Sequence, residues 1–402
     1  MDDPTTATGR IVLLGATGYT GSLVAHELVA LGARPVLAGR SQDRLDALAT
    51  DLARGSDRGS DLGSDLGSGP RPGPRHAEQG TAPIETVRAD VDDPRSVRAL
   101  VERGDVLVST VGPFGRHGGP AVEAAVDAGA VYLDSTGEPA FIRRMFEEYG
   151  PRAGRTGAAL LTAFGHDWVP GNVAGAVALQ DEGAAAERLE IGYFPAGAAT
   201  SGGTRASTVA AALEPSYAWR GGRLRSERVA ARVVTFDLGP GRRVQGITTG
   251  GTEPFALPDL APGLRDVEVV LGVSGRAVRL VPVATTVLTA ALRVPGVGAG
   301  LRELARARSS GSTGGPDATA RATSRTRVLA DARTASGELL RRVRLDGPDP
   351  YDLTARYLAW GAARAAAGGV RGSGALGPVQ AFGLDDLLAA THDAGATVTV
   401  VR

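Results

Sequence analysis

Three glycines, Gly15, Gly18 and Gly21, punctuate the run Ile11-Val-Leu-Leu-Gly15-Ala-Thr17-Gly18-Tyr19-Thr20-Gly21-Ser. A dinucleotide pyrophosphate needs this pattern: the first glycine turns the chain sharply, the second admits backbone close to the phosphates, and the third lets a helix pack on the preceding strand. The phosphates then settle on the free N–H groups and positive end of that helix. Gly15, Thr17, Gly18, Tyr19, Thr20 and Gly21 are therefore the expected phosphate contacts. Roughly twenty residues further on, NAD-type sites carry an acid against the ribose 2′-hydroxyl. Here the chain has Arg40, then Ser41 and, a helical turn later, Arg44. A guanidinium pairs with a 2′-phosphate that a carboxylate would repel, so the expected cofactor is NADP; a solvated surface arginine is the plain alternative.

Further candidates fall at what should be strand ends. Asp90 and Val91 would lie beside the adenine, unless Asp90 only caps a turn. Val111, Gly112, Pro113 and Phe114, and later Ser135, Thr136, Gly137 and Glu138, would flank the ribose and nicotinamide, or serve the chain reversal alone. His166 stands beside Asp167, and such a neighbour can poise an imidazole near neutral pH as a proton donor. This pair is the catalytic candidate, against a packed aromatic ring for His166 and a turn or ribose contact for Asp167. His117, in a glycine-rich loop, either closes over substrate or is simply solvated. Gly202 and Gly203 could offer N–H groups to a ligand beside Thr204 and Ser207, or merely form tight turns.

All 44 basic residues are arginine. Without lysine, neither the Tyr-x-x-x-Lys pair of short-chain dehydrogenases nor Schiff-base chemistry can operate. Without cysteine there are no disulfides, thiolate nucleophiles or Cys-ligated zinc, and the histidines and carboxylates show no metal-ligand spacing, so no metal is expected. The 44 acidic residues balance the charge, which points away from a nucleic-acid partner.

The elements that must position these groups follow from the hydrophobic pattern. Ile11 to Leu14 is apolar and β-branched like a buried parallel strand, and Leu23, Val24 and Leu28 recur at helical spacing. Strand and helix segments then alternate to Glu138, with a helix expected from Asp43 to Ala53. This predicts an α/β fold with a doubly wound parallel sheet whose ligands gather at the C-terminal strand ends. The Gly-Ser-Asp near-repeat and Pro-rich stretch at 55–82 read as a disordered insertion. Residues from about Val173 to Leu345 mix Gly-rich loops with strand-like runs such as Arg228 to Phe236. Leu280 to Leu301 is largely apolar apart from Arg293 and is followed by Arg302, Arg306 and Arg308. Its prolines and internal arginine count against a transmembrane span. A buried helix is the leading expectation there, with a homodimer contact or a peripheral membrane contact as alternatives. Ser309 to Gly315 reads as a mobile loop. The polar start Met1-Asp-Asp-Pro lacks secretory features, so a cytoplasmic location is expected.

Taken in order, GATGYTG, LAGRS, VSTVGPFGRHGGPAVEAAVDAGAVYLDSTGE and GHDWVPGN resemble the saccharopine dehydrogenase-like oxidoreductases, which include trans-acting enoyl reductases of actinobacterial lipid synthesis. The segment from Thr200 to Ser207 and the stretch from Gly374 are similar to later parts of that family, so the resemblance covers most of the chain. It implies an NADP-binding Rossmann domain (1–172), an inserted α+β domain for substrate or oligomerisation (173–345), and a C-terminal segment (346–402) that returns to the first domain. Two departures stand out: His166 replaces the family's phenylalanine, and Asn172 its final aspartate. The expected activity is NADPH-dependent hydride transfer to a small-molecule or lipid-like substrate, an enoyl group being favoured. An opine-type amino-acid dehydrogenase, with Arg205 among its carboxylate clamps, and a non-catalytic NADP sensor are the alternatives.

Overall fold

Six short apolar runs form β1 (Ile11–Leu14), β2 (Val36–Gly39), β3 (Thr86–Arg88), β4 (Val106–Ser109), β5 (Val131–Asp134) and β6 (Ala159–Leu161). They pair in parallel in the order β6-β5-β4-β1-β2-β3, and a seventh strand, β15 (Gly374–Ala375), joins in parallel beside β6. Alternate side chains feed two cores. Leu13 and Leu133 meet one face with Leu28 and Leu358, while Val12, Leu14 and Tyr132 meet the other with Val97 and Val122. The first face is covered by helices Tyr19–Ala30 and Pro350–Ala366, which pack along one another, and the second by Gly119–Ala128 and Gly150–Thr156. This computed structural model describes residues 9–61, 83–197, 200–202, 204, 205, 207, 214–239, 241–273, 280–292, 294, 296, 300, 303 and 314–402.

After β6 the chain crosses into helix Val169–Ala178, in which every residue is buried. Its small side chains let it lie flat on a second sheet, against β7 (Arg188–Tyr193), β13 (Thr326–Arg333) and β14 (Leu339–Gly347). At Gly175 even a methyl group would come within 2.6 Å of Leu257, so bulk is excluded there. The remaining strands of this sheet are β8 (Pro215–Trp219), β9 (Leu224–Arg228), β10 (Val233–Asp237), β11 (Arg243–Thr249), β12 (Asp266–Gly272) and β16 (Thr397–Val400). The path runs β10-β11-β12-β7-β13-β14-β16, with β8 bridging β12 and β9, and only β7 with β12 is parallel.

Several elements differ from the sequence expectation. The second helix runs from Gln42 to Asp61, seven residues into the segment expected to be disordered. Once nucleated, a helix gains one hydrogen bond per added residue, so a weakly helical sequence extends it. Residues 62–82, with His76, lie outside the described residues, as do Met1 to Pro4, Gly203, Arg293, Arg302, Arg306, Arg308 and 309–313. The run Arg228 to Phe236 is split between β9 and β10, because Ala230 takes φ 54° in a turn whose N–H bonds the Thr248 carbonyl. Helix Val281–Leu292 is not buried: Leu280, Val283 and Val287 are 67%, 63% and 64% exposed. A largely apolar helix beside a single strand can cover only one stripe, and here Arg228 of β9 anchors that stripe through Thr285 and the Pro282 carbonyl. At the C-terminus, helix Pro350–Ala366 and β15 join the first domain, but β16 pairs with β14 and covers an edge of the second sheet that would otherwise be open. Among the described residues no helix is long and apolar enough to cross a membrane.

Candidate active site

Gly15 leaves β1 at φ 85°, a conformation that favours glycine, and a Cβ there would sit 2.8 Å from Val111. Gly21 is tighter still, since its Cβ would fall 2.2 Å from the Gly15 carbonyl oxygen. Helix Tyr19–Ala30 has Gly18 as its N-cap and no side-chain cap, so among the described residues the N–H groups of Tyr19, Thr20 and Gly21 lack a backbone acceptor. Uncapped donors at a positive helix end, kept close by glycine, fit a pyrophosphate. The Tyr19 ring turns away from this cradle. Its hydroxyl donates to the Pro316 carbonyl at 2.6 Å and accepts from Arg321 at 3.1 Å, and its ring meets Tyr351 edge-on.

At the end of β2, Arg40 is exposed and has no hydrogen-bond or ion-pair partner among the described residues, whereas Ser41 is half-buried. Arg44 is already engaged, donating to the Thr17 carbonyl at 2.7 Å. It therefore braces the glycine turn, and Arg40 is the cation left for a 2′-phosphate. Asp90 uses its carboxylate to accept the Asp92 N–H at 3.1 Å, and Val91 packs on the neighbouring core. His117 is not a solvated loop residue: it ends a short helix, Phe114–His117, and is half-buried. Burial lowers its pKa, with Arg116 and Arg40 adding to the effect and Asp92 and Asp90 opposing it. The imidazole thus shares the field of the Arg40 corner.

The two strand-end turns beyond β4 and β5 are tied together by Glu138, the last residue of the run expected beside the ribose and nicotinamide. Glu138 is 2% exposed. Its carboxylate accepts the Phe114 and Gly115 N–H groups, each at 2.8 Å, and the Ser207 hydroxyl at 2.7 Å. Phe114 was expected beside the cofactor, yet its ring is buried on Phe141, because an aromatic side chain gains more in the core than in a polar cleft. Thr136 is likewise fully buried, its N–H donating to Asp134 and its hydroxyl accepting from the Glu138 N–H. Burial pushes the Asp134 carboxyl up to about 6 against the hydrogen bonds from Ala163, Thr136 and Thr162 that favour its charge. Val111, Gly112, Pro113 and Gly137 remain half-buried at these turns.

Between β6 and helix Val169–Ala178 the sequence Gly165-His-Asp-Trp brings the catalytic candidates to the same end of the sheet. His166 Nδ1 and Asp167 Oδ1 are 2.8 Å apart. A Cβ on Gly137 would lie 3.0 Å from Asp167 Oδ2, so this carboxylate faces the turn after β5. Behind the pair, Tyr193 at the end of β7 places its ring against both His166 and Trp168. Its hydroxyl donates to Glu253 Oε1 at 2.7 Å and accepts from the Gly171 N–H at 2.8 Å. Glu253 is fully buried, and desolvation, with the negative charge of Asp167, raises its carboxyl to about 8. Asn172, the second departure from the family pattern, donates to the Trp168 carbonyl and the Thr252 hydroxyl.

The second domain reaches over this end of the sheet. Ser201 N–H donates to the Tyr351 hydroxyl at 2.7 Å, Thr204 Oγ1 lies 2.7 Å from the same oxygen, and Gly202 N–H bonds the Gly314 carbonyl. Tyr193, Glu253 and Tyr351 were missed by sequence reasoning because no local spacing links them to His166 or Tyr19. The only sign was Gly250-Gly-Thr-Glu253-Pro254, an acid in a tight turn before a helix. Among the described residues no cluster could hold a metal ion.

Residues 11–161 match the saccharopine dehydrogenase NADP binding domain. Two Mycobacterium tuberculosis proteins bearing the name trans-acting enoyl reductase, the first only provisionally, are 38% identical over 173 residues and 36% identical over 165. An Arabidopsis thaliana protein named as a mitochondrial saccharopine dehydrogenase-like oxidoreductase is 33% identical over 168 residues. These matches cover 42%, 40% and 40% of this chain but 35%, 34% and 32% of the relatives, so the chain spans about a third of their length. The saccharopine dehydrogenase (L-Glu forming) of Saccharomyces cerevisiae shares the fold, with a TM-score of 0.56 at 12% identity over 98% of this chain and 100% of that one. Residues 11–161, which carry the glycine cradle and β1 to β6, are thus similar to the NADP-binding domain of saccharopine dehydrogenases.

Proposed function

We propose that the chain is an NADPH-dependent reductase of an activated carbon–carbon double bond in a lipid-like acyl substrate. The observation that carries this is the convergence, at one end of the parallel sheet, of the glycine cradle, the unpaired Arg40 and the His166–Asp167 pair. When bound, the dinucleotide supplies the hydride. Tyr19, Thr20 and Gly21 hold the pyrophosphate through their N–H groups, Arg40 with Ser41 takes the 2′-phosphate, and the cleft beside Val111, Gly112, Pro113 and Gly137 receives the nicotinamide end. Asp90 and Val91 border the adenine. Hydride transfer needs positioning and exclusion of water more than a large set of acids and bases, and the Tyr351-anchored cover from the second domain supplies both. His166, oriented by Asp167, gives the proton that completes the reduction.

The enoyl substrate is supported by the names of the mycobacterial relatives and by the missing lysine. Arg205, the carboxylate clamp an opine dehydrogenase would need, instead donates to the Thr200 carbonyl of its own loop at 2.7 Å. The test is NADPH oxidation by the purified chain with α,β-unsaturated acyl thioesters, 2-oxo acids with amines, and ketones. Consumption with the thioesters, lost in His166→Asn, is expected. Reduction of the imines alone, or binding of NADPH with no acceptor reduced, would overturn the proposal.

A further inference from the structure

Four buried polar atoms around the Tyr193 ring have no hydrogen-bond partner among the described residues: His166 Nε2, Trp168 Nε1, Asn172 Oδ1 and Glu253 Oε2. Such atoms cost free energy unless something satisfies them, and a cluster of donors and acceptors of this kind is what internal water occupies. Glycine lets Glu253 and Tyr193 sit where they do. A Cβ on Gly251 would fall 2.3 Å from Glu253 Oε2, and one on Gly171 would fall 2.1 Å from the Tyr193 hydroxyl. Exposure rises outward through the cluster, from 0% at Glu253 to 9% for the His166 side chain and 41% for that of Asp167. Tyr193, Tyr217 and Asp167 face Glu253, His166 lies beyond the Tyr193 ring, and Arg143 and Glu147 lie beyond Tyr217. Among the described residues no arginine hydrogen-bonds the Glu253 carboxyl, so burial favours its neutral form.

We propose that Glu253 holds a proton in reserve for His166 and hands it outward through water bound in this chamber. The proposal rests on the reductase reading above. In each turnover His166 Nδ1, on the Asp167 side, gives its proton to the reduced carbon. In the same step the buried Nε2 takes up the Glu253 Oε2 proton through water, so the ring stays a neutral imidazole and Glu253 is left a carboxylate whose Oε1 still accepts from Tyr193. After product leaves, solvent returns one proton through the exposed Asp167 side, and the transfer reverses to refill Glu253. Glu253 does not touch substrate; it is a positioning residue for the proton. Its value lies in the closed state, when cofactor, substrate and the second-domain cover shut the mouth.

The coupling is read without turnover from the ring signals of His166 in the full chain labelled at histidine, assigned by their loss in His166→Asn. Two groups that exchange a proton titrate together, so the His166 signals should follow two steps with pH in the wild type and one step in Glu253→Gln. Identical curves in the two proteins would overturn the proposal. With NADPH and an enoyl thioester, Glu253→Gln should lower kcat about tenfold or more and remove the alkaline limb of its pH profile, with NADPH affinity unchanged and Glu253→Asp restoring part of kcat. Coupled titration with kcat and its pH profile unchanged in Glu253→Gln would also overturn it. Failure of the wild type to reduce any acceptor counts against the reductase reading, while the ring titration still decides whether the two groups share a proton.

Discussion

Glu253→Gln isolates the cost of burying one acid. The substitution keeps the shape of the side chain and an oxygen to accept from Tyr193. In the folded protein the carboxyl is held at about 8 by burial, against an ordinary value of 4.5. Between those values the folded chain binds a proton that the unfolded chain has lost, so stability must fall as pH rises. One pH unit is worth about 1.4 kcal/mol, which sets a ceiling of about 5 kcal/mol for the whole loss. Below pH 4.5 this contribution is fully present, and above about 8 it is gone. Asp134, raised to about 6 by its own burial, adds a slope at lower pH that both proteins share, so the difference between them reports Glu253 alone. Urea unfolding of wild type and Glu253→Gln from pH 5 to 9 should give converging stabilities in acid and a variant more stable by several kcal/mol in alkali. Parallel profiles across the range would show that Glu253 is ionised in the fold and would refute the reasoning.

Other substitutions probe separate parts of the account. Gly21→Ala should weaken NADPH binding by about 5- to 150-fold in a fluorescence titration, because its Cβ must displace the Gly15 carbonyl at a cost of about 1–3 kcal/mol. Glu138→Gln leaves a single carbonyl oxygen where two N–H groups and a hydroxyl now find two, and should lower the urea-unfolding free energy by about 1–3 kcal/mol. Asp331 is fully buried and bonds Arg342 through both oxygens as well as Arg333, so Asp331→Ala deprives the buried Arg342 of its carboxylate, while Arg333 keeps Glu190. It should cost about 3–5 kcal/mol of stability by urea unfolding.

The first domain was the most legible part of the chain because its signals are local. A strand, a glycine turn and a helix lie within some twenty residues, and the backbone geometry demands those residue types whatever surrounds them. The same holds for the pairing of His166 with Asp167, which are sequence neighbours. What could not be read depends on contacts between distant segments. Tyr193 and Glu253 stand 60 positions apart, and Glu138 meets Ser207 across 69. Phe114 shows the same dependence: a strand-end motif places its backbone, but packing on Phe141 decides where the ring goes. The composition of the apolar run at Leu280 to Leu301 suggests burial first and a dimer or membrane contact next, yet exposure depends on how much surface the rest of the fold offers to cover it.

Selection of the 2′-phosphate falls to Arg40, a cation without a partner among the described residues at the end of β2. Parallel titrations of wild type and Arg40→Asp with NADPH and with NADH test it most directly. A charged hydrogen-bonded pair is worth about 1.5–3 kcal/mol, so the wild type should prefer NADPH by about 10- to 100-fold and Arg40→Asp should erase or reverse that preference. Equal affinity for the two dinucleotides in both proteins would contradict it.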